Sequence, residues 1–105
     1  MKLLIVIPTK DGGEDFQELL KSIDLNLSKL NKVIASLSYE IIFAINGDPE
    51  KPIHYLNLVK TNLDFKYKIY DKPGKVYAVQ ETIRNADYDL LISLDDDITF
   101  GEDLF

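Results

Sequence analysis

Cysteine is absent from this chain, which excludes disulfides, thiolate metal sites and a cysteine nucleophile. Histidine occurs once, at His54, so multi-histidine zinc sites are excluded and a histidine-based triad is disfavoured. Basic residues are in the minority, 12 Lys and Arg against 18 Asp and Glu, for a formal charge of −6. A chain of that sign lacks the basic footprint that nucleic acid requires, and an anionic membrane surface repels it. No apolar run approaches the roughly 20 residues of a membrane span. Lys2 is followed only by the short run Leu3 to Ile7, closed by Pro8, which does not read as a signal peptide. The expected location is the cytoplasm. Repeats, low-complexity segments and linkers are also lacking. The 105 residues, 46% of them apolar and 29% charged, suit one soluble domain, 1–105, with a modest core.

What is present alternates. Leu3-Leu4-Ile5-Val6-Ile7 is continuously apolar, the pattern of a strand buried on both faces, and Pro8 is expected to end it. Thr9-Lys10-Asp11-Gly12-Gly13 has turn chemistry. Phe16, Leu19, Leu20, Ile23, Leu27, Leu30, Ile34 and Leu37 then recur at helical spacing, with Glu14 and Asp15 in the first turn, where negative charge is favourable. Asn31 and Ser36 weaken the far end of this helix. Tyr39 to Ile45 reads as a second strand, and Asn46-Gly47-Asp48-Pro49 as a turn. Pro52 can open a short helix carrying Ile53, Leu56, Leu58 and Val59. Lys66 to Tyr70 alternates, as an edge strand does, and Lys72-Pro73-Gly74 breaks it. Lys75 to Ala86 reads as a helix with Val76, Val79 and Ile83 on one face. Asp89 to Leu94 is a fourth strand.

The order β-α-β-α-β-α-β predicts an α/β fold. Its form is a three-layer α/β/α arrangement around a mainly parallel, Rossmann-like four-stranded sheet with right-handed crossovers. In such open sheets ligands bind beyond the carboxyl ends of the strands. Three of those ends carry polar sequence: Thr9 to Gly13, Asn46 to Asp48, and Asp95 to Thr99.

Asp95-Asp96-Asp97 is the sharpest chemical feature. Strand alternation would place Asp95 and Asp97 on one side, where two carboxylates repel unless a hard divalent cation joins them. Magnesium bound this way leaves coordination positions for substrate phosphates. The plainer alternative is a solvated acidic loop, or one aspartate capping a helix.

Taken together, four segments resemble the N-terminal, donor-binding half of a family 2 glycosyltransferase of the GT-A fold. Ile5-Val6-Ile7-Pro8-Thr9-Lys10-Asp11 is similar to the family's opening strand and Pro-Thr loop. Glu40-Ile41-Ile42 with Asn46-Gly47 is similar to the second strand and its turn. Gly74-Lys75, with Ala78 and Ala86, resembles the Gly-Lys segment before the metal strand. Leu94-Asp95-Asp96-Asp97, followed by Glu102-Asp103-Leu104, resembles the Asp-X-Asp motif. The likeness covers essentially the whole chain.

The resemblance implies that Pro8, Thr9 and Asp11 line a nucleotide pocket, with Asn46 and Asp48 on the base side. It places Lys75 near the donor, at a helix N-terminus suited to phosphate. Asp95 and Asp96 would approach the ribose or sugar, and Asp95 and Asp97 would hold magnesium or manganese, with Asp97 the principal ligand. The implied partner is a nucleotide-diphosphate sugar of the UDP or GDP type, and the implied reaction is inverting sugar transfer. The catalytic base would lie in a second half that this chain does not include, so the chain is expected to be inactive by itself and part of a longer enzyme, one able to associate with a membrane. The family often carries aspartate where Ile45 stands and asparagine where Gln80 stands.

Each of these residues has an ordinary reading beside the functional one. Thr9 and Asp11 can cap the first helix, Asn46-Gly47-Asp48 is a good turn in any protein, and Lys75 is most simply a surface lysine. His54 and the tyrosines 39, 67, 70, 77 and 88 read as structural, with no basic groove for single-stranded nucleic acid. Two other functions compete. Leu91 to Thr99 also resembles the Asp-X-Asp-X-Thr loop of haloacid-dehalogenase-like phosphatases, with Asp95 as nucleophile and Asp97 as acid/base, although that motif normally opens its fold. A non-catalytic α/β binding module is the third reading. The fourth strand would then expose a sheet edge through which a homodimer could pair.

Overall fold

A computed structural model describes residues 1–10, 12–70, 74–84 and 86–96. The elements follow the order β1 (Lys2–Thr9), α1 (Phe16–Asn31), β2 (Ser38–Asn46), α2 (Glu50–Leu56), β3 (Lys66–Tyr70), α3 (Lys75–Arg84) and β4 (Leu90–Ser93). The four strands form one sheet in the order β3-β2-β1-β4, and every pairing is parallel. The α/β alternation expected from the sequence is therefore the fold.

The apolar run of β1 is central, and its two faces feed two cores. Leu3, Ile5 and Ile7 join Ile41, Phe43 and Ile45 of β2 against Phe16, Leu19, Leu20, Ile23 and Leu27 of α1, with Leu56 of α2 in the same cluster. Phe16 and Phe43 meet with ring centroids 4.8 Å apart, a tilted contact that adds to their burial. Leu4, Val6, Ile42 and Ala44 face the other way, onto Ala78 and Val79 of α3. Helices α1 and α2 thus cover one face of the sheet and α3 the other. On that second face Thr82 is fully buried. Its hydroxyl donates to the Ala78 carbonyl at 2.8 Å, which leaves its lone pairs to accept from the Tyr70 hydroxyl at 2.7 Å.

Several boundaries differ from the sequence expectation, each for a local reason. Pro8 does not end β1: it pairs with Ala44, and the strand runs to Thr9. The backbone groups of Lys2 and Val6 point toward β4, accepting from Asp89 and Leu94. By alternation the missing N–H of Pro8 falls on that side too, where the β4 ladder has ended at Ser93, so it costs no bond within the sheet. Helix α1 stops at Asn31, short of Leu37. Lys32 and Val33 donate back three residues, to Lys29 and Leu30, which closes the last turn tightly, and Ser36 at φ 62 turns the chain into β2.

Helix α2 opens at Glu50 rather than Pro52. The Asp48 carboxylate accepts the Glu50 N–H at 3.0 Å, and Pro52 sits in the first turn, where a helix has no use for its N–H. Leu58 lies beyond the helix and is exposed. In α3, Val76 is 68% exposed. The packed face is Ala78, Val79 and Thr82, so Val76 does not belong to it. The proposed end of that helix at Ala86 is likewise corrected to Arg84.

Candidate functional site

From β1 the chain moves outward to β2 and β3 with its helices on one face, then returns across the other face to β4. Crossovers of one hand require the helix layer to change when the direction of travel reverses. The reversal puts a topological switch point between β1 and β4, and the crevice outside their carboxyl ends is where open α/β sheets bind ligands. Helix N-termini also gather at this edge, because each crossover helix starts where a strand ends. Their partial positive charge favours anions there.

The crevice is lined by the ends of those two strands. Thr9, the last residue of β1, is 2% exposed. Its hydroxyl donates to Asp96 Oδ2. Leu94 is buried in the α1-side cluster, and Asp96, two residues on, reaches Thr9 and is half-buried. Gly12 closes the cradle: a β-carbon there would overlap the Asp96 carboxylate and lie 3.1 Å from Thr9 Oγ1. Asp95 is exposed.

The end of β2 stands alongside. Asn46 is 3% exposed and is the last residue of the strand, paired with Tyr70, rather than the first of the turn. Gly47 takes φ 86, a conformation that glycine adopts without strain. Lys10 lies over it, with its Cγ 3.2 Å from where a β-carbon would be, so the loops after β1 and β2 touch. Lys51 of α2 pairs with Glu14 in the segment before α1. That contact, above all its hydrogen bond, holds the Glu14 carboxyl below its ordinary pKa of 4.5.

The expected site residues separate accordingly. Pro8, Thr9, Asn46, Asp48, Asp95 and Asp96 all lie at the carboxyl edge of the sheet, with Thr9 and Asp96 in direct contact. Asp48 caps α2, the plainer of its two readings. Thr9 does not cap α1, whose N-cap position is Asp15. Lys75 is the first residue of α3, and its side chain lies outside the described residues, as do Asp11 and Asp97. Strand alternation does not govern Asp95, because β4 ends at Ser93. Ile45, at the position where the resembling family often has aspartate, is fully buried in the core. From the sequence, Gly12 reads only as a turn residue. Its place in a Gly-Gly pair was the available signal, since adjacent glycines also mark close approach of backbone to another group.

Of the expected cation ligands, Asp95 lies among the described residues, and its carboxylate offers oxygen donors, the chemistry that suits a hard divalent cation such as magnesium or manganese rather than a softer metal. Among the described residues no group of three His, Cys, Asp or Glu side chains converges. Also among the described residues, no helix is long and apolar enough to cross a membrane.

The fold and its switch-point crevice define the class: an open, parallel, Rossmann-like α/β domain. No protein-family model, curated protein or solved structure matches the chain.

Proposed function

We propose that this chain is the donor-binding part of a glycosyltransferase similar to family 2, which holds a nucleotide-diphosphate sugar at the crevice between β1 and β4. The observation that carries the reading is the Thr9–Asp96 hydrogen bond. It joins Thr9 of the Pro-Thr segment to Asp96 at the switch point, bringing together two of the four segments that carry the resemblance to the family. In this reading the Thr9 loop and Asn46 line the nucleotide pocket, and the helix N-termini at the same edge favour the diphosphate.

Asp95 and Asp97 are assigned to a divalent cation, which supplies charge to neutralise a departing nucleoside diphosphate. Deprotonation of the acceptor hydroxyl is assigned to no residue of this chain. Sugar transfer therefore belongs to the complete enzyme in this proposal.

Isothermal titration with UDP and then GDP, each with and without manganese, tests the donor site. Manganese-dependent binding of one nucleotide, lost in Asp97→Ala, is the expected result. Absence of binding by both nucleotides in the presence of manganese sinks the reading. Hydrolysis of an aryl phosphate that depends on Asp95 would point to the phosphatase instead.

A further inference from the structure

The end of β2 carries a polar side chain that the fold itself does not use. Asn46 is 3% exposed, and among the described residues its amide has no hydrogen-bond partner. No described side-chain nitrogen or oxygen that is sealed from solvent lacks a partner, so the little surface Asn46 keeps lies at the amide itself. A side chain this buried normally pairs its polar atoms. Its direction follows from the strand. Ile41, Phe43 and Ile45 face α1, whereas Ile42 and Ala44 face Ala78 and Val79 of α3. Asn46 therefore leaves the sheet on the α3 face. Helix α3 connects the parallel strands β3 and β4, so it runs against β2 with Lys75 at the carboxyl edge. From Ala78 back to Gly74 is one turn of helix, and from Ala44 on to Asn46 is two residues of strand. Both steps cover roughly 5–7 Å toward the same edge, which aims the amide into the first turn of α3.

That turn has no cap from its own N-cap residue. The Gly74 carbonyl accepts the Ala78 N–H at 3.1 Å, which puts Gly74 at the N-cap position, and glycine has no side chain to accept from the N–H groups that follow. In α2 the Asp48 carboxylate fills that role. We propose that Asn46 and the first turn of α3 form an oxyanion subsite that takes a phosphate of the donor's diphosphate. The inference rests on the donor-site reading above for the source of that phosphate, and it moves Asn46 from the base side to the phosphate side. The Asn46 amide donates to one phosphate oxygen, and the first N–H groups of α3 donate to others at the positive end of the helix. A neutral amide suits this place better than a carboxylate, because it can donate and brings no charge to repel the ligand.

The test uses the full chain, with calorimetric titration of inorganic pyrophosphate without metal and of UDP and GDP with manganese, and with folding followed by thermal melts. Wild type should bind pyrophosphate. Asn46→Asp separates the two roles, since it keeps an acceptor for a base N–H but sets a negative charge against a phosphate. Pyrophosphate and nucleotide affinity should both fall in it by about 10-fold to 100-fold, the range for a lost hydrogen bond to a charged group. Asn46→Ala removes the donor without adding charge and should weaken pyrophosphate by about 10-fold; it decides alone if Asn46→Asp does not fold. Pyrophosphate affinity unchanged in the variants overturns the inference. So does nucleotide affinity kept in Asn46→Asp, which returns Asn46 to the base, and so does a wild-type chain that binds a nucleotide but no pyrophosphate. Those three results leave the donor-site reading standing. A wild-type chain that binds none of the three ligands removes both, while pyrophosphate bound through Asn46 with neither nucleotide bound upholds the subsite and removes the donor-site reading.

Discussion

The space that a methyl group would need at Gly12 is taken by the Asp96 carboxylate. Gly12→Ala therefore has to push the carboxylate away from Thr9 or shift the loop, and overpacking of this kind costs about 1–3 kcal/mol. The expected outcome is a lowered chemical-denaturation midpoint with an unchanged slope. On the opposite face, Thr82 links Tyr70 to the first turns of α3 through one hydroxyl. Thr82→Val fills the same volume but leaves the Tyr70 hydroxyl without that acceptor, at a cost of about 1 kcal/mol. Tyr70→Phe in the same background should add little, because the two changes remove one interaction. A double-mutant cycle measured by urea unfolding checks this coupling.

Among the elements, α1 carries the largest share of one core. It is tied to the segment after α2 by a side chain that imitates backbone: the Gln17 amide donates to the Lys60 carbonyl at 2.9 Å and accepts the Lys60 N–H at 2.7 Å. The segment before α1 is tied to α2 by the Glu14–Lys51 pair. This pair gives a pH dependence of defined sign. The folded-state pKa of Glu14 is lowered, first by the hydrogen bond from Lys51. Its contribution is thus present above the ordinary value of 4.5 and is lost as pH falls through the lowered value. Thermal melts should show wild type above Glu14→Gln at neutral pH, with the gap closing on acidification and shrinking in high salt, as expected for an exposed pair.

The sheet order makes the whole molecule uneven in stability. Strands β1 and β2 are flanked on both sides and nearly all buried, whereas β3 and β4 are edges with exposed residues such as Tyr67, Ile69 and Leu90. Local opening starts where burial is least. Hydrogen exchange should find the slowest amides in Leu3 to Ile7 and Ile41 to Ile45, exchanging only on global unfolding, with β3 and β4 faster. Equal protection in all four strands would contradict the order β3-β2-β1-β4. Phe43 touches both Phe16 and Phe65. Phe43→Ala should cost about 3–5 kcal/mol, enough to unfold much of a domain of this size at ambient temperature.

The amino-acid sequence by itself determined the order of elements and the class of fold. Apolar runs such as Leu3 to Ile7 and helical repeats such as Phe16 to Leu27 are local patterns, set by which residues lie two, three or four positions apart. It also determined that polar residues would follow three strands. It did not determine where strands and helices end at Thr9, Asn31 and Glu50, because those limits depend on which partner ladder stops and which carboxylate is in reach. Nor could it show that Thr9 meets Asp96 rather than a helix end, or that Gly12 is small for the sake of that contact. Those facts arise only when the sheet brings loops 87 residues apart together, since side-chain proximity across a switch point follows from strand order, and strand order is a property of the assembled sheet.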